Sequence, residues 1–419
     1  MLRAVVLTLA NVLADLAIGS PVMVLPQLMA DFGTGEAAWL NAGALLAGAV
    51  WSPLLAKSAD LYGKRRILLA ILLLSCLGAV ICYLATNVVI FLIGRFLQGA
   101  AFAAVFVTVA LAAEIYSAGV AMSVVGVVTS ASSLIGIVEP FVMTPIIAAF
   151  GHRSVFLVAA VLAGLAALSV QLAIPESPIR ATGRVDVLGA LLLGGGLAAV
   201  LASLTGAPVA LLVVGVGALG GWLLLAWRAT DPIIDIRALH RPILLTLLAV
   251  VLAAGAFRSM LHLVGMTGGD DVAVLLAAPN LGIVIGGAAA GWAAGRFGPA
   301  RALLGGIVIG TVATAGMWTG VSVLWVAVAC GVSIGVAAGA VGASGYNLAT
   351  SIEPPERHGT TAGLVSVMTA LGAVTFTFAG NEVLTTMDDG VHRYVLFATA
   401  VFALALIPAL RLVRFAGAR

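Results

Sequence analysis

The feature that most constrains this chain is a succession of long apolar runs joined by loops too short to fold on their own. A helix needs about 20 apolar residues to cross roughly 30 Å of hydrocarbon. Fourteen stretches fit that requirement: Val5–Leu28, Ala37–Ala56, Ile67–Ala85, Val88–Ala113, Val120–Phe150, Val155–Ile174, Val187–Leu204, Val209–Trp227, Ile243–Val264, Val272–Ala294, Ala302–Thr319, Val321–Ala349, Thr360–Val383 and Tyr394–Val413. No connection much exceeds about a dozen residues, which leaves no room for a soluble catalytic domain. In lipid only helices and closed barrels satisfy their own backbone, and runs of this length specify helices. The expected class is an all-α polytopic membrane protein that is not an enzyme.

Composition supports this and narrows it. Hydrophobic residues make up 62% of the chain and charged residues 9%, with a mean hydropathy of +1.20. A soluble domain is about half apolar and about a quarter charged. The formal charge of +3 gives no footprint for nucleic acid. No phosphate-binding loop is present, so ATP is not the expected driver. Cys76, Cys82 and Cys330 lie inside apolar runs without metal-ligand or disulfide spacing, and read as packing residues. Neither a cofactor nor a metal is expected. The first run follows a single arginine and reads as a retained helix rather than a cleaved signal.

Charge placement sets orientation. Of the 20 Lys+Arg, fourteen spans put sixteen on the N-terminal side, two (Arg153 and Arg393) on the other, and two (Arg95 and Arg258) inside spans. By the positive-inside rule both termini are cytoplasmic, in the plasma membrane.

Two loops repeat. Ala56-Lys57-Ser58-Ala59-Asp60-Leu61-Tyr62-Gly63-Lys64-Arg65-Arg66 and Gly291-Trp292-Ala293-Ala294-Gly295-Arg296-Phe297-Gly298-Pro299-Ala300-Arg301 start 235 residues apart (291 − 56). Each joins two apolar runs, and a repeated loop in such a chain points to a transporter built from two related halves. Gly63 permits a tight turn, and Asp60 can hold the basic residues that follow or cap a helix.

The first loop resembles the signature loop of the major facilitator superfamily at Asp60, Gly63, Lys64 and Arg65. Arg95-Phe96-Leu97-Gln98-Gly99 is similar to that family's Arg-x-x-Gln-Gly motif, and Gly151-His152-Arg153-Ser154-Val155-Phe156 to the opening of its sixth helix. Arg184–Ala190 and Asp231–Ile234 resemble the flanks of the extra helix pair in the fourteen-helix drug:proton antiporters. The resemblance implies a major facilitator fold. Residues 1–174 would form an N-terminal six-helix bundle, 175–241 an inserted two-helix hairpin, and 242–419 a C-terminal six-helix bundle. The chain departs from the pattern in several places. In the first loop Ala56 and Leu61 replace the leading glycine and a basic residue, and Met143 and Thr144 replace the trailing glycines of the exporters' fifth-helix motif. Leu25-Pro26 stands in place of the first helix's Ala-Leu-Pro ending, and Asp15 sits about two residues earlier than the usual acid. Gly295 stands where the first loop has Asp60, and the fifth run reads Val138-Glu139-Pro140 where the exporters carry a glycine before the proline.

Charges inside the spans are the candidate working groups, because a charge in mid-membrane costs at least a few kcal/mol. Asp15 lies roughly 16 Å into the first span, with Asn11 one turn before it on the same face. Arg95 lies roughly 10 Å into the fourth, with Gln98 beside it. Glu139 precedes the helix-breaking Pro140. Arg258 and His262 form an i,i+4 pair, and Asn280 follows Pro279, where a break in the helix is expected. A proton switch would use Asp15, Glu139 and Arg95; Asn11, Gln98, Arg258, His262 and Asn280 would line the substrate cavity. The alternatives are static buried ion pairs and, for His262, a hydrogen-bonded packing histidine. The gate loops contribute Asp60, Gly63, Lys64 and Arg65, and Gly291, Arg296, Gly298 and Arg301. Stripes at Gly287, Gly291 and Gly295, and at Gly331, Gly335 and Gly339, fit close helix packing.

Three functions compete. The first is a monomeric, secondary-active exporter, in which the proton gradient drives a small amphipathic compound outward. The second is a symporter of a polar or anionic metabolite. The third is a non-transporting receptor or lipid-handling membrane protein. If the loops latch the cytosolic face, Asp60→Asn should impair transport while a conservative change at Gly295 does little.

Overall fold

The computed structural model describes residues 2–35, 37–116, 118–177, 184–204, 208–229, 232, 241–320, 323–352 and 358–417. All regular structure among them is helical. Twelve of the described helical stretches are long and apolar enough to cross a membrane, and two shorter apolar helices, Leu2–Val12 and Val187–Ser203, accompany them. Among the described residues the expected count of fourteen full-length spans is therefore not reached. Of the two flanks of the expected helix pair, Arg184–Ala190 is described, whereas Asp231, Ile233 and Ile234 lie outside the described residues.

Local chemistry accounts for one of the two short helices. The first span is not one helix: α1 (Leu2–Gly19) gives way to a 3-10 segment, Ser20–Val24, and then to α2 (Leu25–Phe32). Pro21 and Pro26 each lack the N–H that would bond one turn back, so the α-helical ladder is interrupted there. The seventh span, helix α9 (Val187–Leu204), is only 18 residues long.

By contacts the chain forms two compact units, residues 1–135 with 142–236, and residues 136–141 with 237–419. Unit 1 contains α1, α2, α3 (Ala37–Tyr62), α4 (Lys64–Leu84), α5 (Val88–Gln98), α6 (Ala104–Ile115), most of α7 (Ala118–Phe150), α8 (Ser154–Ala173), α9 (Val187–Leu204) and α10 (Ala210–Arg228). Helix α4 lies against α5 and α8, and α1 lies against α8. A second 3-10 segment, Gly99–Ala103, joins α5 to α6 and packs on α3. The α9–α10 hairpin closes on itself and touches α3 through Gly194, where a Cβ would strike Val50.

Unit 2 contains α11 (Arg241–Thr267), α12 (Val272–Phe297), α13 (Pro299–Gly320), α14 (Leu324–Ile352), α15 (His358–Thr386) and α16 (Gly390–Gly417). Helices α12 and α14 meet backbone to backbone: a Cβ on Gly282 would strike the Val332 carbonyl, and one on Gly335 the Pro279 carbonyl. Only one of the two expected glycine stripes makes this contact. Gly335 and Gly339 face α12, but a Cβ added at Gly287, Gly291 or Gly295 would meet nothing within 4 Å. The packing glycines of α12 are Gly282 and Gly286. The expected break at Pro279 is also absent, since α12 runs through it; α14 packs against Pro279 with Gly331 and Gly335 and supports the backbone there.

Candidate functional site

The two repeated loops share a backbone. In the first, α3 ends at Tyr62, Gly63 alone makes the turn at φ +115°, and α4 starts at Lys64. In the second, α12 ends at Phe297, Gly298 turns at φ +88°, and α13 starts at Pro299. Both glycines occupy a region that L side chains rarely enter. Each donates its N–H back to the preceding helix, Gly63 to Ala59 O at 3.0 Å and Gly298 to Ala294 O at 3.0 Å.

The side chains differ. Lys64 is buried, with its Nζ 2.6 Å from Glu114 Oε1 on α6 and 3.3 Å from Asp60 Oδ1. The start of α4 has no side-chain cap of its own. Glu176, just beyond α8, supplies one: its carboxylate accepts from the Arg65 N–H at 3.1 Å and the Arg66 N–H at 3.2 Å. The Arg65 guanidinium donates to the Gln171 carbonyl at 2.6 Å. In the second loop Arg296 lies over the Trp292 and Phe297 rings, 5.9 and 5.8 Å from their centroids. Arg301 lines a cavity of about 210 Å³ with Phe297, Gly298, Pro299, Ala300, Leu348 and Val413. Gly291 is exposed. Among the described residues no carboxylate bonds to this loop.

Inside unit 1, Arg95 is fully buried. Its Nη1 donates to Gln98 Oε1 at 2.9 Å and its Nη2 to the Asn41 carbonyl at 3.4 Å. Cys82 Sγ also donates to Gln98 Oε1, at 3.6 Å. Asn11 is buried too, and its Nδ2 donates to Ser132 Oγ at 2.9 Å and the Val128 carbonyl at 3.3 Å on α7. Asp15 sits in α1, but its side chain lies outside the described residues. Glu139 is half-buried on α7, within the stretch Gly136–Phe141 that groups with unit 2.

In unit 2, His262 is fully buried, with Nε2 3.1 Å from Asn381 Oδ1 on α15. One turn away, the Tyr394 hydroxyl donates to the Ser259 carbonyl at 2.8 Å. Arg258 is half-buried, 6.0 Å over the Phe257 ring. Asn280 Nδ2 donates to the Leu276 carbonyl at 3.0 Å and to the Gly136 carbonyl at 3.1 Å.

At the far end of unit 1 from the first loop, Asp31 joins α2 to the α7–α8 turn. Its Oδ2 lies 2.7 Å from His152 Nε2 and accepts from Arg153 Nε at 2.9 Å. Arg153 also donates to the Ala85 carbonyl at 2.7 Å. Burial alone would raise the Asp31 carboxyl, but the His152 and Arg153 contacts outweigh it and hold it below the usual carboxylate range. Sequence reasoning missed Glu114, Glu176, Asp31 and Asn381 as partners; the one available signal was that each is a polar residue at or near the end of an apolar run.

Twelve described helical stretches of membrane-spanning length, in two units with a glycine turn at matching points of each, define a polytopic membrane protein. The family model of the Major Facilitator Superfamily matches residues 7–266, more than half of the chain. The chain belongs to that superfamily. It is 29% identical over 69% of its length to a protein named triacylglyceride transporter from Mycolicibacterium smegmatis, covering 56% of that protein. It is 28% identical over 73% of its length to a multidrug resistance protein B homolog from Mycobacterium tuberculosis, covering 60% of it. It therefore spans little more than half the length of these two relatives. To a uridine/deoxyuridine transporter from Lactococcus lactis it is 27% identical, over 84% of this chain and 80% of that one. Among solved structures, the POT family transporter PepTSo superposes with a TM-score of 0.76 at 15% identity, covering 98% of this chain and 97% of the other. At that identity the likeness establishes the fold alone.

Proposed function

We propose that this transporter exports a small amphipathic compound of drug or antibiotic type in exchange for protons, by alternating access between its two halves. On this reading it is a monomer in the plasma membrane with both termini cytoplasmic. The proton gradient is its only energy source. The proposal places it with the fourteen-helix antiporters: the broken first span and the short α9 would complete the count, and residues 175–241 would be the inserted hairpin.

The observation that carries the coupling is Arg95. A guanidinium enclosed in the fourth span is costly in lipid, and two of its bonds go to the Gln98 side chain and the Asn41 carbonyl. Such a cation is suited to hold a nearby carboxylate ionised in one state and release it in another. Asp15 and Glu139 are the carboxylates proposed for that exchange. Asn11, Gln98 and His262 are enclosed and bonded, which favours service within their units; half-buried Arg258 and Asn280 are better placed to meet substrate. The name of the mycobacterial multidrug relative supports the substrate class.

A second reading, proton-coupled import of a polar metabolite, draws on the Lactococcus relative, the longest match of those described. The name of the triacylglyceride relative favours a lipid cargo instead. Proteoliposomes under a pH gradient, offered cationic, neutral, anionic and lipid compounds, separate the three. Substrate-driven proton movement opposite to substrate supports exchange, and movement with it supports symport. Arg95→Ala is expected to abolish gradient-driven flux, more severely than Asp15→Asn or Glu139→Gln. Undiminished flux in Arg95→Ala would sink the coupling role.

A further inference from the structure

We infer that the end of unit 2 formed by the α12–α13 turn and the last turns of α16 binds the anionic headgroup of a phospholipid. Four helices meet around the cavity there. Its walls include Phe297 from the end of α12, Pro299 and Arg301 from the start of α13, Leu348 from α14 and Val413 from α16. Leu348 and Val413 each lie four residues before the last residue of their helix (352 − 348 and 417 − 413), roughly 6 Å at 1.5 Å per residue. The cavity therefore sits where the hydrocarbon gives way to headgroups, far from the midplane at which transported compounds are bound. Its volume of about 210 Å³ is also below the roughly 300 Å³ at which pockets for drug-sized ligands begin.

The charge around this cavity is one-sided. Arg301 is exposed at its rim, and Arg296, also exposed, lies over the Phe297 ring that forms one wall. Arg411 and Arg414 are exposed on the stretch of α16 that carries Val413. Among the described residues none of these four arginines pairs with a carboxylate. Over 291–301, 349–358 and 411–419 the sequence has six arginines against two glutamates, Glu353 and Glu356, so the acids of these segments do not balance them. The first loop is the contrast: its Lys64 and Arg66 are matched by Asp60, Glu114 and Glu176. An arginine fork suits a phosphate, and arginines at a membrane surface are drawn to anionic lipid. The apolar walls and the exposed Trp292 and Phe297 favour a lipid over a soluble anion, since such rings settle at headgroup level beside acyl chains.

Thermal unfolding of the full chain in detergent tests this with three probes: phosphatidylglycerol, phosphatidylcholine and inorganic phosphate. Phosphatidylglycerol should raise the midpoint to a plateau, and the other two at the same concentrations should not. Arg301→Ala should keep the parent's midpoint without lipid, because Arg301 is exposed, and should need about five-fold more phosphatidylglycerol for half the rise. Arg393→Ala, near the start of α16 and so at the opposite end of unit 2, removes the same charge and should respond like the parent. An equal rise with phosphatidylcholine would mean that no headgroup charge is read. An equal rise with phosphate would mean a site for a soluble anion. Either result overturns the proposal. So does a parental response in Arg301→Ala, or an equal weakening in Arg393→Ala, which would reveal diffuse attraction to net charge alone.

Discussion

The two repeated loops have one backbone and two chemistries. Each turns on a single glycine at positive φ, 235 residues apart (298 − 63), and each launches a helix of more than 20 residues. The first is fastened by three carboxylates, Asp60 from its own helix, Glu114 from α6 and Glu176 from beyond α8. The second has cation–ring contacts and a small open cavity in their place. Duplicated halves thus retain the turn, which backbone geometry requires, and diverge in the side chains, which only their neighbours require. The loop with Asp60 is the one fastened by ion pairs.

Lys64→Ala should break this contrast most strongly. It strands Glu114 in a half-buried site, and losing a charge-assisted bond of this kind costs about 2 kcal/mol. Thermal unfolding in detergent should show a clear drop in midpoint for Lys64→Ala, with transport reduced, against little change for Arg301→Ala. Equal shifts in the two variants would remove the asymmetry. Gly63→Ala and Gly298→Ala probe what the loops share: each forces a side chain to a positive φ, at about 1 kcal/mol or more, and both should destabilise to a similar degree. A large loss at one with none at the other would show that the turns are not equivalent. The smallest effect belongs to Gly295→Ala, which meets nothing within 4 Å and should stay within about 0.5 kcal/mol of the parent in denaturant titration.

Much of the pattern is legible in the sequence. The turns at Gly63 and Gly298 and the Arg95–Gln98 pair follow from local spacing, since a glycine between two helices and an i,i+3 pair need no tertiary information. Glu176 lies 111 residues from Arg65, and Asn381 lies 119 residues from His262. No periodicity in the chain encodes such pairs. The glycine stripe on α12 shows the same limit: a four-residue spacing predicts a smooth face, but not whether that face meets a helix or lies open.

The sequence by itself determined a helical membrane protein with a repeated glycine turn, because apolar length and loop length leave few alternatives for a chain in lipid. It also marked where each half turns. Tertiary structure decided which carboxylates fasten the first loop, that Arg95 donates to the Gln98 and Asn41 oxygens, and that the first span is interrupted. Those outcomes depend on which helix faces come together, and the contact is made between residues that the chain order keeps far apart.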